Sequence, residues 1–106
     1  MKLNEKFPRL EQFFGCYFHQ DWMAEYKNEE MAVKGYVHDV GSTEASHMLQ
    51  DLEHLMALDL SEKELGKVLV EDLQCDYNPD PDGISMRDWL RWVRSTLIKY
   101  IQSKQD

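Results

Sequence analysis

The chain has 106 residues, of which 42% are hydrophobic and 30% are charged, and its formal net charge is -8 at pH 7. This balance excludes an intrinsically disordered chain, and no stretch approaches the roughly 20 apolar residues that span a bilayer. We therefore predict a single domain over residues 1–106. Because the first residues lack the apolar core of a signal peptide, we expect a cytoplasmic protein.

The negative charge is concentrated in the middle of the sequence. Residues 20–84 have a net charge of -12, whereas residues 1–19 carry +1 and residues 85–106 carry +3. A field of this sign repels nucleic acid phosphates and anionic membranes, and it attracts cationic partners. We therefore predict no nucleic acid partner and no membrane partner. The charge alone leaves two interpretations open, namely a basic protein partner or ordinary solubility.

The first predicted helix covers residues 8–18. Its apolar residues recur every three or four positions, as in an amphipathic helix, and Pro8 suits the first turn. The segment 13–22 carries five aromatic residues, each of which buries on the order of 150 to 250 Å², so it is expected in the core. The polar residues after this helix are expected to hold a turn by hydrogen bonds. Structural roles are assigned to Tyr17, His19, Gln20, Asp21 and Trp22.

The second and third predicted helices meet at Gly41-Ser42. Asn28 can cap the second helix, whose acidic first turn, Glu29 and Glu30, suits the helix dipole. Gly41 and Ser42 end that helix and cap the next. The third helix has an unambiguous apolar stripe, which consists of Ala45, Met48, Leu49, Leu52, Leu55 and Met56.

The fourth and fifth predicted helices begin with capping boxes. The fourth begins at Ser61 and is expected to end near Gln74, and the fifth begins at Ser85 and runs to about Ser103. Residues 75–83 cannot be helical, because two prolines and a glycine interrupt them. Short connections favour antiparallel packing. The prediction is therefore an all-α fold, a compact single-domain bundle of about five helices.

The sequence offers little support for catalysis. Glycine-rich phosphate loops, Gly-x-Ser-x-Gly and His-Glu-x-x-His are absent. Cys16 and His19 could lie on one helix face, where they could act as a nucleophilic thiol with its general base or as two ligands of a metal ion. However, no third residue nearby in the sequence is in place to fix the geometry of such a site. We interpret Cys16 as a packed thiol and His19 as a hydrogen-bonded turn residue. We predict neither an enzyme nor a cofactor.

The loop before the fifth helix partly matches a calcium-binding loop. Trp89 stands at position 12, where a bidentate carboxylate is needed, and prolines fill positions 2 and 4. We favour a rigid acidic turn, with a calcium-binding helix-loop-helix as the alternative. The residues that do fit, at positions 1, 3, 5 and 6 of an EF-hand, are Asn78, Asp80, Asp82 and Gly83.

Four stretches of sequence carry a family resemblance. They are 10–22, 61–65, 73–79 and 85–90, and the most specific part is the run Tyr-Phe-His-Gln-Asp-Trp that begins at Tyr17. In this order they resemble the helical immunity proteins of bacterial contact-dependent growth inhibition systems, the CdiI family. The resemblance implies a small cytoplasmic protein that binds and neutralises the C-terminal toxin domain, often a nuclease, of a cognate CdiA-type effector. It also implies that the shared motifs, among them Trp89, belong to the scaffold.

A nuclease has a basic cleft, and an acidic protein surface can occupy such a cleft in place of phosphate. We therefore predict stoichiometric inhibition through acidic residues, with tyrosine anchors because tyrosine is enriched at binding hot spots. For each residue a solvated surface is the alternative. A second candidate function is an acidic adaptor that binds another basic protein. The candidates are Glu29, Glu30, Asp39, Glu44, Asp51, Glu53, Asp76, Tyr77, Asp80 and Asp82, with Tyr26 and the more core-like Tyr36 as further anchors.

Overall fold

The computed structural model describes residues 3–19, 22–75 and 83–104, and its regular secondary structure there consists of helices. No strand occurs in these ranges, and the radius of gyration, 12.9 Å, matches the value of about 13 Å for a compact chain of this length. The predicted compact all-α fold is confirmed. A π-helical turn, Val68–Asp72, directly follows α5. The α-helices are α1 (Leu3–Lys6), α2 (Pro8–Tyr17), α3 (Trp22–Glu25), α4 (Glu29–Met56), α5 (Glu62–Lys67) and α6 (Met86–Lys104).

Helix α2 carries the aromatic centre of the core. It begins at Pro8, as predicted, and ends one residue before the predicted end. Phe13 is fully buried, and its ring centroid lies 5.0 Å from that of Phe14 and 4.8 Å from that of Tyr36, both in edge-to-face geometry. The predicted burial is confirmed for Phe13, Phe14, Phe18 and Trp22, whereas Tyr17 is partly exposed at the edge of the core.

Cys16 is exposed, so the prediction of a packed thiol at this position is wrong. In an α-helix, two residues correspond to a rotation of about 200°, which places Cys16 on the side opposite the buried Phe14. Nearness to aromatic residues in sequence does not indicate burial, because the helical period decides which side of a helix faces the core. Cys75, in contrast, is buried.

Helix α4 bends at Gly41, where the backbone angles are φ 87° and ψ 163°. These angles are non-helical and belong to a region that only glycine adopts readily. A straight helix of this length would span about 42 Å, which exceeds the longest dimension of the molecule, 38 Å. The predicted junction between two helices at Gly41 is therefore confirmed. We call residues 29–40 the first half of α4 and residues 42–56 its second half.

The replacement Gly41→Ala is expected to lower the free energy of unfolding by about 1–3 kcal/mol. No atom lies within 4 Å of the position that a Cβ would take, so the cost comes from the backbone angles and not from a clash. The matched control is Gly66→Ala, since Gly66 also has open space around its Cβ position but lies in α5 without a positive φ. Urea unfolding should show Gly66→Ala to be neutral or stabilised. Equal stabilities of Gly41→Ala and the wild type would contradict the expectation.

The segment after Ser61 departs from the predicted α-helix. The capping box at Ser61 is present, but α5 passes into the π-helical turn, in which the amide of Leu73 donates to the carbonyl oxygen of Val68 at 3.0 Å. Gln74 then has a φ of 60° and does not continue a helix. Leu69 and Leu73 are both fully buried. The wider turn changes the apolar spacing too little to be recognised from the sequence.

Helix α6 packs along α4 and begins and ends within one residue of the prediction. The hydroxyl of Ser85 accepts a hydrogen bond from the amide of Asp88 at 3.1 Å, which caps its first turn. Leu90, Val93 and Leu97 are fully buried along its inner face. The two single-turn helices α1 and α3 are additions to the predicted set.

Candidate binding surface

Two of the predicted binding residues, Glu44 and Asp51, face Arg9 of the same chain. Nε of Arg9 lies 3.0 Å from Oε2 of Glu44, and its Nη1 lies 3.8 Å from Oδ2 of Asp51. These ion pairs connect α2 with the second half of α4. Because the three side chains are partly exposed, the pairs contribute little net stability, but the two carboxylates share the single positive charge of Arg9.

Glu53 and Glu30 are paired with cations of α6. Oε2 of Glu53 lies 2.9 Å from Nη2 of Arg94 and also accepts from its Nε. Oε2 of Glu30 accepts from the hydroxyl of Tyr100 and, at 3.0 Å, from the ammonium group of Lys99. These two hydrogen bonds, that of Tyr100 first, lower the pKa of the Glu30 carboxyl below its ordinary value.

The contacts of Glu30 predict a pH-dependent stability. A carboxyl whose pKa is lower in the folded state than its ordinary value of 4.5 adds stability above that pH, and the contribution is lost as the pH falls through the folded pKa. We expect Glu30→Gln to melt at a lower temperature than Glu29→Gln at pH 7. Both residues lie in the first turn of α4, so the comparison removes their common interaction with the helix dipole.

The test is thermal unfolding of Glu30→Gln and Glu29→Gln at pH 7 and at pH 2. The difference in Tm between the two variants should narrow towards pH 2, as Glu30 takes up a proton and loses its attraction to Lys99. The same difference in Tm at both pH values would contradict this account.

Asp39 differs from these acidic residues, since within the described ranges no cation of the chain pairs with it. Its Oδ2 accepts a hydrogen bond of 2.7 Å from the hydroxyl of Tyr17. The ring of Tyr17 lies 5.9 Å from that of Tyr26 and 5.4 Å from that of Tyr36, measured between centroids. Tyr36 is buried, whereas Tyr17 and Tyr26 are partly exposed. A carboxylate without an ion pair in the described part of the chain therefore stands beside two partly exposed aromatic rings.

Both accessible tyrosines are held in the neutral form. Burial, followed by the hydrogen bond to Asp39, raises the pKa of Tyr17 above its ordinary value of 10.0. Burial, followed by the charge of Asp39, raises the pKa of Tyr26 in the same direction. The two hydroxyls therefore remain protonated at physiological pH, so that each can act as a hydrogen-bond donor.

A half-open groove of about 440 Å³ adjoins these residues, with the ring of Tyr26 in its wall. Val37, on the first half of α4, and Tyr100, on α6, also line it. A Cβ on Gly35 would lie 2.8 Å from Cε1 of Tyr26, which is closer than real contacts allow. The absence of a side chain at Gly35 thus lets the Tyr26 ring lie directly against α4.

The remaining predicted residues have the following places. Glu29 is partly exposed in the first turn of α4 and makes no ion pair within the described part of the chain. Nε2 of His19 lies 3.5 Å from Oε1 of Glu25, and its carbonyl oxygen accepts from the amide of Trp22 at 3.1 Å. Trp22 and Trp89 are both buried. The residues that lie outside the described ranges are Gln20, Asp21, Asp76, Tyr77, Asn78, Asp80 and Asp82.

Two features are absent from the described ranges, namely a cluster of metal-ligating side chains and a membrane-spanning helix. They contain no group of three or more His, Cys, Asp or Glu side chains placed to hold a metal ion. None of their helices combines the length and the apolar character that crossing a bilayer requires.

The groove and the contact between Gly35 and Tyr26 were not identified from the sequence. A signal was available, since an isolated glycine within an otherwise regular helical pattern often marks a close packing contact. The partner in this contact, the aromatic ring of Tyr26, follows α3 in a turn, and the sequence does not reveal the direction in which that turn leads the chain.

Comparisons with known proteins agree in sequence and in fold. The family model described as CdiI immunity protein matches residues 6–97. Among curated proteins, none matches the chain. A chain of the crystal structure of a CdiA-CT/CdiI complex from Y. kristensenii 33638 is similar, with 29% sequence identity and a TM-score of 0.83, over 92% of this chain and 98% of that chain. Since the family match extends over most of the sequence, the chain belongs to the CdiI immunity protein family.

Proposed function

We propose that this protein binds and neutralises the C-terminal toxin domain of a cognate CdiA-type effector in the cytoplasm of the producing cell. The match to the CdiI immunity protein family over residues 6–97 carries the proposal. The likeness to a chain of a CdiA-CT/CdiI complex, at a TM-score of 0.83, supports it. Residues 1–106 act as one domain, and inhibition is stoichiometric and without catalysis.

We further propose that the toxin is a nuclease and that an acidic surface of this chain blocks it. The net charge of -8 supports the idea, because a basic cleft built for phosphates attracts such a surface. The carboxylates contribute unequally. For Glu30, Glu44, Asp51 and Glu53, a toxin cation would have to replace a cation of the same chain, so the net gain is small.

Asp39 and Glu29, in contrast, make no ion pair with a cation in the described part of the chain. A toxin cation that reaches either carboxylate forms a new ion pair without breaking one within the described part of the chain. We therefore assign these two residues the larger share of the electrostatic attraction among the described candidates.

The experiment is co-expression with the toxin domain encoded beside this chain. The toxin domain alone should arrest growth, and co-expression of this chain should restore it. The purified proteins should form a 1:1 complex, and the isolated toxin should degrade RNA or DNA until the chain is added. A folded chain that neither restores growth nor binds the toxin would overturn the proposal, whereas binding to a toxin without nuclease activity would overturn only the finer part.

The rate of association should depend on salt. If the acidic surface steers the encounter, the association rate constant is expected to fall by about tenfold or more between low and high ionic strength, because salt screens charges over a Debye length. Stopped-flow mixing over a sodium chloride series would measure it. A rate that is independent of salt would contradict a leading role for charge.

A further inference from the structure

The aromatic residues Tyr17 and Tyr26, the carboxylate of Asp39 and the groove beside them form one continuous surface, which we call the Tyr26 patch. Tyr26 joins its two parts, since its ring packs on Tyr17 and also lines the groove. We propose that the Tyr26 patch is the docking site of the toxin domain, with a toxin arginine on Asp39 and an adjacent apolar side chain in the groove. The inference rests on the proposed function and names the surface that performs it.

The chemistry around Asp39 suits an arginine. The hydroxyl of Tyr17 occupies one acceptor position of the carboxylate, and a carboxylate offers about four such positions. A guanidinium group can use the remaining ones in a bidentate pair, while its flat face stacks on an aromatic ring. Within the described ranges no cation of the chain competes for Asp39, so the ion pair with the partner would be a net gain.

The groove suits an apolar side chain better than a second cation. The Lys34 ammonium group lies 5.9 Å from the centroid of the Tyr100 ring, and both residues line the groove. A positive charge at this wall repels another cation. The partner segment is therefore expected to place its arginine at Asp39 and its apolar neighbour between the rings of Tyr26 and Tyr100.

Gly35 indicates that the ring of Tyr26 is positioned for contact. A glycine in the interior of a helix lowers its stability relative to alanine. Here it allows the edge atoms of the Tyr26 ring to lie close to α4, yet the ring remains partly exposed and does not complete the core. A ring that is fixed before binding loses less entropy in the complex, which favours affinity.

The first test compares binding of the purified toxin domain to the wild type, Asp39→Asn and Asp59→Asn by calorimetry. Asp39→Asn is expected to weaken binding by about 30-fold or more, as for a charged hot-spot residue. It leaves an oxygen to accept from Tyr17, so the fold should keep its Tm. Asp59→Asn is the matched control, because Asp59 is exposed and lies away from the patch in the loop after α4, and it should bind within about threefold of the wild type.

The second test uses Gly35→Ala with Tyr26→Phe as its control. The added Cβ displaces the ring of Tyr26, so binding is expected to weaken by about tenfold or more although the helix itself becomes more stable. Tyr26→Phe keeps the ring and should bind within about threefold of the wild type. A merely structural role of Gly35 would lower Tm and affinity together, whereas the inference requires that affinity falls while Tm is unchanged or higher.

The identity of the partner group is tested by a charge exchange. Asp39→Arg should abolish binding, and replacement of one toxin arginine by glutamate should restore it. The assignment of an arginine would be overturned if binding were restored only when a toxin lysine is replaced by glutamate, or if no such replacement restored it.

These measurements separate the two proposals. A wild-type chain that fails to bind or to protect against the toxin removes the proposed function and the inference with it. A wild-type chain that protects, together with Asp39→Asn and Gly35→Ala variants that bind equally well, keeps the proposed function and overturns the Tyr26 patch as the docking site.

Discussion

Replacement of Phe13 by alanine is expected to lower the free energy of unfolding by about 3–5 kcal/mol. Phe13 is fully buried, and the loss of its ring leaves a cavity between α2 and α4 that the surrounding rings cannot fill without moving. It also removes edge-to-face ring contacts, which add to the effect of burial. Its ring partners, at centroid distances of 5.0, 5.6 and 4.8 Å, are Phe14, Phe18 and Tyr36.

Urea unfolding followed by circular dichroism measures this effect. The control is Gln12→Ala, because Gln12 is the neighbouring exposed residue of the same helix, and its change should stay within about 0.5 kcal/mol. Domains of this kind have a total stability of about 5–15 kcal/mol, so Phe13→Ala would approach the limit of folding. A loss below about 1 kcal/mol would show that the aromatic cluster is not the centre of the core.

Replacement of Trp22 by alanine is expected to cost about 3–5 kcal/mol of stability as well. Trp22 is only 6% exposed, and its ring lies 5.5 Å from that of Phe18 between centroids. Trp92→Ala makes the same chemical change at a residue of α6 that is 36% exposed, and it should cost less than about 1 kcal/mol.

The effect of Trp22→Ala on immunity separates a structural role from a contact role. If Trp22 supports the scaffold, the fraction of molecules that remains folded at low temperature should bind the toxin with unchanged affinity. Thermal unfolding and calorimetry on the same sample would measure both properties. A variant that keeps the wild-type Tm but no longer binds would make Trp22 a contact residue instead.

Local signals predicted most of the fold. The spacing of apolar residues and the capping groups at Ser61 and Ser85 depend on neighbours within one or two turns, so the sequence alone reveals where α5 and α6 begin. The bend at Gly41 was also predictable, because a glycine followed by serine ends one helix and caps the next. The π-helical turn and the exposure of Cys16 were missed, since the first resembles an α-helix in spacing and the second depends on which side of α2 faces the core.

The sequence could not predict in the same way which acidic residues form contacts with other side chains of the chain. Glu44 meets Arg9 across 35 positions of sequence, and Glu30 meets Tyr100 across 70. No local pattern reports such pairings, because they depend on how whole helices are placed against each other. The sequence therefore indicated where the negative charge lies but not which carboxylates the chain itself neutralises.

The bend at Gly41 divides α4 into two segments that make different contacts. The first half of α4 carries Asp39 and the wall of the groove, whereas the second half carries the carboxylates that hold Arg9 and Arg94. A continuous rod would transmit a small rotation at one end along its whole length, but a single non-helical residue absorbs it. Exposed positions on the first half, where we propose that the toxin docks, can therefore diversify while the buried residues of both halves keep the architecture, so that a new specificity need not begin with a new core.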